Sequence, residues 1–182
     1  MIESVRGKTP VIGEDTYIHP SAVIIGDVRI GKRCSIWPNV VIRGDVNSIE
    51  IGDETNIQDG TIIHATYQKN ATWIGPRVNI GHGVILHGCR VEELTLVGMQ
   101  VCVMDGAVIP RKSLVGAGSL VTEGSAFESS KWILGRPAKA VRALKPEEEA
   151  LLDKYYEKYL LYKTWYSNSQ NSETGSLKER KG

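Results

Sequence analysis

Branched aliphatic residues recur every six positions along most of this chain, and few folds tolerate that period. The series runs Ile12, Ile18, Ile24, Ile30, Ile36, Ile42, then Ile51, Ile57, Ile63, then Ile74, Ile80, Leu86, then Val97, Val103, Ile109, Val115 and Val121. Glycine often follows directly, as at Gly13, Gly31, Gly52, Gly81 and Gly98. Four positions after each aliphatic the residue is small or branched, as at Ala22, Val28, Cys34, Val40, Val46, Thr55, Val84 and Ser113. Neither a helical period of 3.6 nor a long alternating strand fits this pattern, whereas a short strand followed by a tight corner does. Each unit is then one side of a three-sided coil, with the repeating aliphatic pointing inward. A single coil cannot bury its own face, so the spacing predicts a stack of coils at the ~4.8 Å separation of hydrogen-bonded strands.

The period breaks at three places, Ile42 to Ile51, Ile63 to Ile74 and Leu86 to Val97. The surplus residues are expected to leave the stack as loops, where function often sits. The repeat fades beyond Ser125, so residues 1–135 are assigned to the β-helix. Gly135-Arg136-Pro137-Ala138 reads as a turn that opens a C-terminal segment, residues 136–166. Within it Pro146 suits a first helical turn, Glu147, Glu148 and Glu149 complement the positive end of the helix dipole, and Leu152, Tyr155, Tyr159, Tyr162 and Tyr166 form an amphipathic face. Residues 167–182 are rich in Ser, Asn, Lys and Glu and are expected to be a disordered tail.

A net charge of +1 offers no basic field for a phosphate backbone, so nucleic acid is not an expected partner. No run approaches the ~20 apolar residues of a bilayer span, which predicts no membrane and a cytoplasmic protein. Cys34, Cys89 and Cys102 lack metal-site or disulfide spacing and read as packed thiols.

Sides three apart lie on one face, so Ile42, Ile63 and Leu86 make a vertical ladder whose next residues are Arg43, His64 and His87. Two imidazoles therefore stand one strand spacing apart, close enough to share one ion. Ile57 and Ile80 belong to another ladder, which places Asp59 and His82 near a corner of a different face. One prism does not easily bring His82 to the other two, but three prisms packed around a threefold axis place His82 of one against the pair of the next. His19 has no such partner and reads as an ordinary surface histidine.

Arg43-Gly44-Asp45, Asn56-Ile57-Gln58-Asp59-Gly60 with His64, Ile80-Gly81-His82-Gly83 and Leu86-His87-Gly88-Cys89 closely resemble the γ-class carbonic anhydrase family of hexapeptide-repeat proteins. The resemblance supplies the hand that spacing does not: a mainly β, left-handed parallel β-helix of hexapeptide repeats with three-sided coils, followed by a C-terminal α-helix. It implies a homotrimer with zinc, or iron in some conditions, at each subunit interface. It further implies reversible hydration of CO2 to bicarbonate by metal-bound hydroxide. His64, His82 and His87 match the three metal ligands. Gln58 matches the residue that orients the hydroxide, with Asn56 beside it. Arg43 and Asp45 match the interface pair, Asp59 the acid that holds Arg43 across subunits, and Tyr159 a tyrosine of the C-terminal helix near the metal.

Two positions depart from the family pattern, because Val46 and Tyr67 stand where its best-studied type has proton-shuttle carboxylates. Hydration of CO2 exports one proton per turnover, so slow activity is expected. Two alternatives remain open on the residues: a hexapeptide acyltransferase or acyl-CoA thioesterase, and a non-catalytic metal-binding or assembly protein.

Overall fold

The computed structural model describes the backbone of residues 1–176 and the side chains of residues 1–166. The chain is a parallel β-solenoid of hexapeptide repeats with one C-terminal helix. One sheet stacks Tyr17–Ile18, Ser35–Ile36, Asn56–Ile57, Asn79–Ile80, Leu96–Val97 and Leu114–Val115 in parallel register. The other two faces form a second sheet, joined by the long strands Val23–Ile30 and Val41–Ile51, which pass from one face to the next. Backbone bonds run one coil up or down, as from the Gly31 amide to the Ile51 carbonyl at 2.8 Å.

The interior is the column of repeating aliphatics. Ile24, Ile36, Ile42, Ile57, Ile63, Ile74, Ile80 and Leu86 are completely buried, each contributing roughly 1.5–3 kcal/mol of burial free energy. Val40, Thr61, Val84 and Ser113, four positions along, are completely buried as well, so only small or branched residues fit beside the corners. The Thr61 hydroxyl donates to the Gly81 carbonyl and accepts from the Val84 amide, which satisfies a polar group inside an apolar column. At one corner Asp15, Arg33, Glu54, Arg77, Leu94 and Lys112 all take left-handed backbone conformations, with φ between 52° and 60°. The stacking puts Glu54 between Arg33 and Arg77, and it accepts from both guanidinium groups.

The repeat is more regular than the spacing suggests. Strand Arg90–Val91 pairs with both Trp73–Ile74 and Val108–Ile109, so Val91 is a core position. No loop leaves the stack between Leu86 and Val97; a side shortened by one residue lies there instead. The break between Ile42 and Ile51 also forms no loop. Val41–Ile51 is one continuous strand, in which Ile49 takes the buried place expected for Val46. Only Ile63 to Ile74 expels a true loop, between strands Ile62–His64 and Thr72–Ile74.

The repeat also outlasts Ser125. Phe127 packs against the core, and Ile133 is completely buried on strand Lys131–Gly135, which pairs in parallel with Leu114–Val115. Arg136-Pro137 turns this strand into an antiparallel partner, Ala138–Ala143, so the turn closes a hairpin before the helix begins.

Helix Pro146–Ser176 starts as expected, and the Glu148 carboxylate accepts from the Lys145 amide at 2.8 Å and from Arg142. Its docking face differs by one residue from the expected stripe. Leu152 and Lys163 are buried, Tyr156 lies under the Arg77 guanidinium, and Tyr159 and Tyr166 pack edge-on to Trp37, while Tyr155 faces outward. Lys163 reaches Asp15, which pins the helix to a corner. The helical backbone runs to Ser176. The remainder of the expected tail, residues 177–182, lies outside the described residues. No helix among the described residues is long and apolar enough to cross a membrane.

Candidate metal centre

His64 and His87 end the neighbouring strands Ile62–His64 and Ile85–His87 and are paired in direct register. Their rings lie 5.1 Å apart, and His64 Nδ1 faces His87 Nε2 at 3.1 Å. Each ring has its remaining nitrogen against a carboxylate. Asp45 Oδ1 lies 3.0 Å from His64 Nε2, and Asp105 Oδ1 lies beside His87 Nδ1. A carboxylate there accepts from the ring nitrogen beside it, which favours the imidazole proton on that nitrogen and a lone pair on the one that faces the other ring. Two lone pairs at this distance repel unless a cation or a proton lies between them. Two Zn–N bonds of ~2.0–2.1 Å at a tetrahedral angle would separate the nitrogens by about 3.3 Å, so this donor set fits zinc.

The two carboxylates are themselves held in place. Burial opposes ionisation of Asp45, but hydrogen bonds from His64 and Arg43 and the Arg43 charge outweigh it and keep its carboxyl below the usual range. Burial likewise opposes ionisation of Asp105, and hydrogen bonds from Thr66, His87 and Asn70 overcome it. Gly88, with φ at +55°, lets the backbone pass this carboxylate. A Cβ at that position would stand 2.7 Å from Asp105 Oδ1.

The third histidine stands elsewhere. His82 is half exposed at its corner, and its Nδ1 lies 3.0 Å from Asp59 Oδ2. Among the described residues of one chain, no group of three or more His, Cys, Asp or Glu side chains is placed to hold a metal ion. Asn56 and Gln58 are buried on and just beyond strand Asn56–Ile57, which pairs with Asn79–Ile80 ahead of the His82 turn, and Gln58 Nε2 donates to Asn56 Oδ1 at 3.1 Å. Asn56 in turn donates to Asn79, so the amide of Gln58 is oriented by a chain of amides.

Tyr159 belongs to the His82 side. It lines a groove with Trp37, Pro38, Asp59 and Tyr162, and burial, with smaller contributions from Tyr162 and Asp59, pushes its phenol up to about 12. Arg43 pairs with Asp45 of its own chain, while Asp59 faces His82. Tyr67 is exposed on the loop between Ile62–His64 and Thr72–Ile74, beside Arg6 and Gln68. Cys89, close to His87, is buried, and burial raises its thiol to about 12, as suits a packed thiol. Asp105 is the site residue that sequence reasoning missed. It stands two positions beyond Val103, the next rung of the His64–His87 ladder, and that register was the available signal.

A β-solenoid of hexapeptide coils that sets two histidines in register at a candidate metal site defines the class of protein. Residues 9–44 match the bacterial transferase hexapeptide (six repeats) family model. Protein YrdA of Escherichia coli is 41% identical over 184 residues, covering 91% of this chain and 94% of YrdA. Gamma carbonic anhydrase 2, mitochondrial, of Arabidopsis thaliana is 40% identical over 162 residues; the match spans 86% of this chain but 58% of the plant protein. Among solved structures, a hexapeptide transferase family protein from Anaplasma phagocytophilum superposes with a TM-score of 0.88 at 42% identity, covering 91% of this chain and 98% of that one. A Bacillus cereus protein described as a putative acetyltransferase gives 0.89 at 36% identity, with 92% and 97% covered. The chain belongs to the γ-carbonic anhydrase-like family of hexapeptide-repeat proteins.

Proposed function

We propose that this protein is a γ-class carbonic anhydrase that acts on CO2 and bicarbonate as a homotrimer, with zinc, or iron in some conditions, at each subunit interface. The observation that carries the reading is the pair of imidazole nitrogens held face to face by Asp45 and Asp105. His64 and His87 of one chain and His82 of its neighbour would hold the metal, and three neutral nitrogens leave a coordination position open. Zinc held there supplies Lewis-acid activation of water.

The other residues bind, orient and move protons around it. Gln58 presents an amide whose direction is set by Asn56 and Asn79, which suits it to orient the attacking oxygen. Arg43, anchored on Asp45, offers a cation for the bicarbonate product and for the neighbouring subunit. Tyr159 lines a groove with Asp59, the partner of His82, which suits it to come to the proposed interface on the His82 side of the site. Proton export is the weak link, since neither Val46 nor Tyr67 brings a carboxylate.

The transferase names of the solved relatives favour acyl transfer as a second reading. Zinc content of protein purified without added metal, combined with stopped-flow CO2 hydration and an acetyl-CoA turnover assay, separates the two. About one zinc per chain with CO2 hydration supports the hydratase, one site arising per interface in a closed ring. Metal-free protein that consumes acetyl-CoA overturns it.

A further inference from the structure

We propose that Asp105 is a positioning residue for His87 and that, through Thr66, it ties the expelled loop at residues 65–71 to the metal site. This rests on the metal reading above. The argument is geometric. Asp105 Oδ1 engages His87 Nδ1, which leaves His87 Nε2 as the nitrogen that faces His64. Its second oxygen is taken by the Thr66 hydroxyl, and Asn70 also contacts it, so both ends of the loop converge on one carboxylate.

The loop's other ties to the rest of the chain include an exposed Lys69–Glu123 ion pair at 3.2 Å and the Arg6 guanidinium over the Tyr67 ring. The Thr66 amide donates to the Asn70 carbonyl at 2.9 Å, closing the loop on itself, and the Asn47 side chain donates to the Thr66 carbonyl at 3.1 Å. The absent side chain of Gly88 makes the approach possible, because a Cβ there would also stand 2.9 Å from the Asn70 Cβ. Asp45 does the same work on the other ring, with Arg43 on its second oxygen. The two differ in what they anchor. Asp45 is tied to a strand, whereas Asp105 is tied to the loop that carries Tyr67. A bound divalent cation fixes the His87 ring, the fixed ring holds Asp105, and Asp105 holds Thr66. Metal loading therefore orders the loop.

The test uses Asp105→Asn and Thr66→Val in the full chain. In metal-free protein, 15N chemical shifts of His87 report which ring nitrogen carries the proton; the parent is expected to hold it on Nδ1, and Asp105→Asn is expected to mix the two tautomers. Zinc affinity, measured by competition with a chromophoric chelator, is expected to fall about 10–100-fold in Asp105→Asn, the usual loss when an outer partner of a ligand is removed. Thr66→Val is expected to leave the tautomer and the affinity within about threefold, but to weaken the slowing of amide exchange at residues 66–70 that zinc produces in the parent, the Asn70 contact retaining part of it. An unchanged tautomer and unchanged affinity in Asp105→Asn overturn the positioning role. Exchange in the loop that ignores zinc in the parent overturns the coupling. A parent that binds no zinc overturns the metal reading itself, and the tautomer measurement still distinguishes that failure from the failure of Asp105.

Discussion

His64 Nδ1 and His87 Nε2 face each other at 3.1 Å, each with its other ring nitrogen against a carboxylate. In the proposed trimer, that relationship makes the two histidines half of a metal site. The other half, His82 with Asp59 and Tyr159, lies on a different face of the same prism. The first prediction follows from this separation. His64→Ala, His87→Ala and His82→Ala should each lose zinc, read as metal per chain. Co-refolding His82→Ala with His64→Ala should restore part of it, because the intact pair of one chain then meets the intact His82 of the other. Properly mixed trimers without metal would defeat the shared site.

Gln58→Ala should keep its zinc and its trimer while CO2 hydration falls about 10²-fold, the scale of losing one preoriented hydrogen-bonding group. The change also leaves Asn56 Oδ1 without the Gln58 donor in a buried place, at a cost of about 1–3 kcal/mol, so the melting temperature should drop modestly. Loss of zinc instead would make Gln58 a structural support of the site.

Proton export should limit turnover. CO2 hydration is expected to rise with the concentration of imidazole buffer, and Tyr67→Glu should raise kcat more than kcat/KM, since a carboxylate replaces a phenol. Arg6 lies over the Tyr67 ring, 5.8 Å from its centre, and offers the new carboxylate a partner that limits the gain. If neither buffer nor Tyr67→Glu raises a low rate, proton transfer is not the slow step.

Gly88→Ala should cost about 1–3 kcal/mol, because a side chain there adopts a left-handed backbone and collides with Asp105. Thermal denaturation reads the cost. Zinc affinity should fall as well, as the collision pushes the carboxylate from His87.

Acid should loosen the C-terminal helix before it melts the solenoid. Arg142 and the Lys145 amide hold the Glu148 carboxyl down at about 2, below its ordinary 4.5. A lowered carboxyl stabilises above the ordinary value and loses that contribution as the pH falls from about 4.5 towards 2. Helix ellipticity of the parent should therefore decline in that window, and Glu148→Gln should flatten the decline. An identical acid profile in both proteins would remove the capping pair from the account.

The six-residue period by itself determined the solenoid, its inward column and the two ladders that put His64 over His87 and send His82 to another corner. Side-chain direction in a stacked coil follows from count alone, so those relations were legible without coordinates. Count failed where one side is not six residues long. Val91 follows Leu86 by five residues and Ile49 replaces Val46 inside, and only the pairing of strands with the coils above and below decides such phase. Phe127 escaped because an aromatic fills a place read as aliphatic. The docking face of the helix, with Tyr156 and Lys163 in place of Tyr155, depends on the corner that Arg77 and Asp15 occupy, which the helical period cannot report. Asp105 reaches His87 through space, across one rung and past a glycine without a side chain. Tertiary structure alone decided that contact, because hydrogen bonds depend on distance and direction and a sequence carries neither.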